Sequence, residues 1–272
     1  MGIASCATVE RSSPALVDLV EVERAFARTN MTAGQRVAWL EWFAVEGVMF
    51  RSGAVNAQAF MRGNPAPPPA PPGAFDWRPI YGDVSGAGDL GYNTGPVKVT
   101  SLGRSDRFFF SVWRRGADGR WKVVVDLGGP VDLSGHDPFD DPFTPARTAV
   151  AQSATASSGP ALAELDGAPD IAALWDPHIR GLRINVPPLV GRQAFVQYYA
   201  RVRGVITHHP VDAGIARSDD LAYTYGRYTI AAPNVETGDY ARAWHRDARG
   251  VWRIVYDVAR PDVGPATGLS DQ

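Results

Sequence analysis

The run Val112-Trp-Arg-Arg-Gly-Ala-Asp-Gly-Arg-Trp-Lys-Val-Val-Val-Asp126 returns 131 residues later as Ala243-Trp-His-Arg-Asp-Ala-Arg-Gly-Val-Trp-Arg-Ile-Val-Tyr-Asp257. Each run holds two β-prone stretches around a short turn. In the first the turn is Gly116-Ala-Asp-Gly119, and in the second Asp247-Ala-Arg-Gly250 takes its place. The Asp-Gly step of the first turn suits positive φ, so each run reads as a β-hairpin.

Working outward, Asp89-Leu-Gly-Tyr-Asn-Thr-Gly95 and Asp220-Leu-Ala-Tyr-Thr-Tyr-Gly226 keep the offset of 131, as do Pro130 and Pro261. Two tryptophans, two glycines, a tyrosine and two aspartates matched in one ungapped register identify an internal repeat. Each of these runs supplies a strand before the hairpin. By the period of two, Leu90, Tyr92 and Thr94 share one face, and Leu221, Tyr223 and Tyr225 repeat it.

Before the strands come helices. Residues 14–29 place Leu16, Leu19, Val20, Phe26 and Ala27 at helical spacing, and residues 37–45 form a shorter apolar helix. Residues 48–50 read as a strand, 56–61 as a short helix, 64–72 as a proline-rich surface loop and 77–84 as another strand. The second half keeps this order. It has a helix over 146–165, a turn at 171–175, a strand over 178–184, a helix over 192–202 and a strand over 205–217. Helices followed by strands indicate α+β architecture. The expected division is a leader (1–13), a first domain (14–133), a Gly/Asp/Pro-rich linker (134–145), a second domain (146–262) and a tail (263–272).

This order resembles the nuclear-transport-factor-2-like superfamily, which includes the SnoaL-like cyclases and ketosteroid isomerase. Within it the pattern looks most like a bacterial domain family of unknown function. The residues that carry the resemblance are 34–50, 77–79, 85–95 and 112–128 in the first half, and 173–175, 190–194 and 220–257 in the second. The resemblance implies two tandem cone-shaped domains, each a curved antiparallel sheet packed on its N-terminal helices. It also implies pairing of the two sheets within one chain, in the manner of the family's homodimer, with a further homodimer as the other option. Enzymes, binding proteins and assembly modules share this scaffold, so fold does not give function.

Bulk properties narrow the field. The 272 residues are 45% hydrophobic and 21% charged, with a net charge of −2, so no basic field exists to hold nucleic acid. No apolar run is long enough for a membrane-spanning helix. The single cysteine, Cys6, excludes an internal disulfide framework and cysteine-based zinc sites. Ile3-Ala4-Ser5-Cys6 matches the end of a bacterial lipoprotein signal, yet only five residues precede Cys6. Export with a lipid anchor at Cys6 therefore requires a longer leader upstream; otherwise the expectation is the cytoplasm. Phosphate loops, nucleophile elbows and dinucleotide fingerprints are absent, and no cofactor is implied.

Two sets of residues are candidates for chemistry. His178, His208, His209 and His245 lie in the second half, near Asp176 and Asp212, and supply material for a proton-transfer pair. On a strand His208 and His209 point to opposite faces, which argues against a shared metal ion, and no metal site is expected. Asp126 and Asp257 close the last strand of each copy. The resemblance makes Asp257 a candidate general base, whereas its presence in both copies equally suits a scaffold role. The aromatic pocket candidates are Trp39, Trp42, Trp77, Tyr92 and Trp113 in the first half, and Tyr198, Tyr199, Tyr223, Tyr225 and Trp244 in the second. Such walls suit a small apolar or aromatic ligand, with ordinary core packing as the alternative for each. Three functions remain open: a small-molecule-binding or accessory protein, an isomerase-, dehydratase- or cyclase-like enzyme using a His/Asp pair in the second half, and an assembly module.

Overall fold

The computed structural model describes residues 13–64, 75–99, 104–133, 135–146, 158–231, 235–247 and 249–262. Cys6, most of the proline-rich loop, the first part of the 146–165 helix and the tail lie outside the described residues.

The chain begins with α1 (Pro14–Ala33), α2 (Gln35–Trp42), β1 (Phe43–Phe50), β2 (Ala54–Asn56) and α3 (Ala57–Gly63). Ser13 caps α1 by accepting from the Leu16 N–H, and Pro14 occupies the first turn, where its missing donor costs nothing. Strands β3 (Phe75–Trp77), β4 (Tyr81–Val84), β5 (Leu90–Val99), β6 (Arg104–Arg115), β7 (Trp121–Asp126), β8 (Gly129–Pro130) and β9 (Thr144–Pro145) follow. The second half has α4 (Gly159–Asp166), β10 (Trp175–Arg183), β11 (Leu189–Val190), α5 (Arg192–Tyr199), β12 (Val205–Ile215), β13 (Leu221–Ala231), β14 (Glu236–Arg246) and β15 (Trp252–Pro261).

Two sheets result, with strand orders β2-β1-β7-β6-β5-β4-β9 and β11-β10-β15-β14-β13-β12. They are mixed, not wholly antiparallel as expected. In each, the strand that follows the first helices returns beside the last strand of the hairpin and runs parallel to it. The helix expected over 37–45 stops at Trp42, because Phe43 pairs with Val123 and the chain continues as β1. The helix expected to reach residue 202 stops at Tyr199. The expected linker contributes a strand: its β9 pairs with β4 and covers that edge of the first sheet.

Strand pairing extends the repeat beyond the segments that display it in sequence. Trp77 faces Val97 as His208 faces Tyr228, and Tyr81 faces Thr94 as Asp212 faces Tyr225, all at the offset of 131. The single strand expected over 77–84 is divided between β3 and β4 at Pro79. Its counterpart Pro210 marks a register shift in β12. Proline has no N–H for the ladder, so both copies break pairing at the same place. The hairpin turns end in Gly119 (φ 78°) and Gly250 (φ 76°), as the sequence reading expects.

The two faces of each sheet have different partners. The repeated face carrying Leu90, Tyr92, Leu221, Tyr223 and Tyr225 joins Phe110, Val112, Val124, Tyr256 and Val258 in one cluster shared by both halves. The sheets therefore pack on each other through it. The opposite faces carry the helices. Phe26, Trp39, Trp77, Trp113 and Trp121 fill the first, and Leu162, Trp175, Phe195, Trp244 and Ile254 fill the second.

Candidate functional site

The helix-facing interior of the first half is closed by aromatic packing around one carboxyl group. Glu23 sits in the apolar stripe of α1 between Leu19 and Phe26 and is fully buried. The indole N–H groups of Trp77 and Trp113 donate to its two oxygens at 2.8 and 2.7 Å. Burial outweighs these bonds, and the nearby Asp126 pushes the same way, so the Glu23 carboxyl is raised to about 8. Phe26 lies 4.9 Å from both Trp39 and Trp77, ring centre to ring centre, and 5.9 Å from Trp113. Three of the pocket candidates of this half thus pack on one another. Asp126 accepts from the Ser111 hydroxyl at 2.8 Å and is pushed up to about 6, again by burial.

The same positions of the second half hold different chemistry. At the offset of 131, Trp77, Phe109 and Ser111 become His208, Tyr240 and Arg242, while Asp126 remains aspartate as Asp257. Asp257 lies inside β15, not at its end, because this strand continues to Pro261. Its Oδ2 is 3.2 Å from Arg183 and 3.4 Å from Arg242. Arg242 also meets Asp166, the last residue of α4, at 2.6 Å, and the Tyr240 hydroxyl donates to the other oxygen of Asp166 at 2.6 Å. Arg183 donates to the Tyr199 hydroxyl, and its guanidinium lies 5.4 to 5.7 Å from the ring centres of Phe195, Tyr198 and Tyr199.

Charge states follow from these neighbours. Burial alone would raise the Asp257 carboxyl, but the two guanidinium groups outweigh it and hold it below the ordinary range. His208 Nε2 lies 2.7 Å from Arg242 Nη2, so that nitrogen accepts and the ring is neutral. Burial, reinforced by the Arg242 charge, lowers its pKa to about 3.

The remaining candidates scatter. His209 and His178 are exposed, and His245 is buried against Asp176 at 3.0 Å. Trp244 donates to Thr224 within the core. Trp42 donates to Thr29 between the first two helices. Tyr92, Tyr223 and Tyr225 face the opposing sheet, so they line neither interior. Sequence reasoning passed over Glu23, Asp166, Arg183 and Arg242. A charge inside the apolar stripe of α1 marks Glu23, and the repeat register marks Arg242 as an arginine where the first copy has serine. Among the described residues no group of three metal-ligating side chains occurs, and no helix is long and apolar enough to cross a membrane.

Apart from both interiors, a cavity of about 420 Å³ opens between the two sheets. Its walls include Tyr81 and Phe108 of the first half and Arg180, Leu189 and Tyr256 of the second.

No protein-family model matches the chain, and no curated protein matches it. Among solved structures it is similar to a ketosteroid isomerase-like protein from Erwinia carotovora atroseptica, at 16% identity and a TM-score of 0.32, over 39% of this chain and 92% of that one. A second is an NTF2-like protein with a cystatin-like fold from Novosphingobium aromaticivorans, at 17% identity and a TM-score of 0.28, over 40% and 77%. A third is nuclear transport factor 2 from Cryptosporidium parvum, at 12% identity and a TM-score of 0.28, over 34% and 78%. Likenesses of this degree assign neither activity nor ligand.

Proposed function

We propose that the protein binds a small molecule in the second half, with the first half as its scaffold, and that each half is a cone-shaped unit (14–133 and 146–262). The ligand has an apolar or aromatic body and one hydrogen-bonding oxygen. The oxygen meets the hydroxyl and guanidinium groups around Arg183, Tyr199 and His208, and the body lies against Tyr198, which like His208 and Tyr199 is partly exposed.

One observation carries this reading. Both copies place an aspartate at the same position, and the first copy holds Asp126, which is partly exposed, by a hydrogen bond from Ser111 and the charge of Arg260. The second buries two arginines and a further aspartate around it. Desolvating such charges is costly and the shared fold does not need them, which supports a functional use. The charge states favour binding over proton transfer. With His208 lowered to about 3 and Asp257 held down by two arginines, neither group is poised near neutral pH.

The test is an NMR titration with cyclic ketones and phenols, following the Trp244 indole and the arginine guanidinium signals. Saturable shifts of Arg183 and Arg242 are expected. A panel that leaves both unmoved sinks the reading.

A further inference from the structure

The cavity between the sheets is separate from either interior, and its walls have a charge pattern of their own. Most of the lining is apolar or aromatic: Tyr81, Phe108, Leu189 and Tyr256 with neighbouring prolines. The Thr94 hydroxyl donates to the Phe109 carbonyl at 2.6 Å and lies 2.9 Å from the Tyr256 hydroxyl across the junction, which leaves it to accept from Tyr256, so both wall hydroxyls donate within the protein. Asp141 closes onto His136 at 3.0 Å, and Asp132 is engaged within the protein. Arg180 stands apart. Its guanidinium lies 4.1 Å above the Tyr81 ring, and no ion pair or hydrogen bond of that guanidinium joins it to another described residue. A guanidinium stacked on an aromatic ring is held in place while its N–H fork stays available to a planar anion.

We propose that this cavity binds a small monocarboxylate with an aromatic or aliphatic body, its carboxylate paired with Arg180 and its body between Tyr81, Phe108 and Tyr256. About 420 Å³ accommodates such a molecule. Because both halves build the walls, occupancy also ties the two sheets together.

Calorimetric titration of the full chain with 3-phenylpropionate and with its neutral amide tests this. The acid is expected to bind at least about tenfold more tightly than the amide, the ratio for one charge-assisted pair. Arg180→Gln should bring the two within about twofold, and Arg180→Lys should recover part of the difference. Tyr199→Phe, in the other proposed site, should leave the acid's affinity unchanged, so the two proposals fail separately. Absence of binding by the acid overturns the proposal, as do equal binding of acid and amide or an acid preference that survives in Arg180→Gln.

Discussion

The Asp220 carboxylate accepts the backbone N–H of Gly86 at 2.7 Å across the junction of the two halves. The mirror contact also exists: Asp89 accepts the backbone N–H of Arg217 at 3.2 Å. Asp89 and Asp220, like Gly86 and Arg217, are related by the offset of 131. Residue i meets residue j and the copy of j meets the copy of i, which is the rule of a two-fold interface written into one chain. The repeated aspartates are therefore interface residues.

Replacing Asp220, which is itself buried, by Ala removes its bonds from the Gly86 amide and the Ser218 hydroxyl and is expected to lower stability by about 1 kcal/mol. Asp89→Ala should cost less, because Asp89 is more exposed than Asp220 and its ion pair with the Arg217 side chain is open to water. Urea unfolding of each variant checks the order.

Glu23 makes stability fall as pH rises. Its folded value of about 8 lies above the ordinary 4.5. The folded protein therefore holds a proton that the unfolded chain has lost, and the contribution is full below 4.5 and gone above about 8. The slope in that window is about 1.4 kcal/mol per pH unit. Glu23→Gln should remove this slope while lowering stability at pH 5. Melting temperatures from pH 5 to 8 provide the comparison.

His208 acts in the opposite sense. Its folded value of about 3 lies below the ordinary 6.5, so its contribution is present above 6.5 and is lost as pH falls toward 3. Its ring signals should not titrate between pH 5 and 8 in an NMR experiment. A midpoint near 6.5 would contradict the contact with Arg242.

Removing Arg242 alone leaves Asp166 and Asp257 short of a buried partner. Arg242→Met is expected to destabilise by about 3–5 kcal/mol. Adding Asp166→Leu should cost less than the sum of the single changes, since the pair is removed together. A double-mutant cycle in denaturant reads the coupling.

Gly119 and Gly250 hold positive φ in equivalent turns. Alanine at either should cost about 1–2 kcal/mol, and by similar amounts at both, because the strain is local to the backbone. Chemical denaturation of the two single variants tests the match.

The repeat was legible because its markers are local. Turn glycines, hairpin tryptophans and alternating strand residues state their conformation within a few positions of chain. The α+β order and the tandem arrangement followed from them. The face shared by Leu90 and Tyr92 with Leu221 and Tyr223 could also be read from the period of two. What that face meets could not, because alternation says that a side is buried and not what covers it. Tyr92, Tyr223 and Tyr225 look like pocket walls in sequence and lie between the sheets in the fold. The same limit hid the charged cluster. Asp166, Arg183, Arg242 and Asp257 come from α4 and three different strands, separated by up to 91 residues. Local propensity determined the elements and their duplication. Only the tertiary structure decided which buried charges meet and where a cavity opens, since Coulomb attraction and exclusion of water depend on distance in space and not on spacing along the chain.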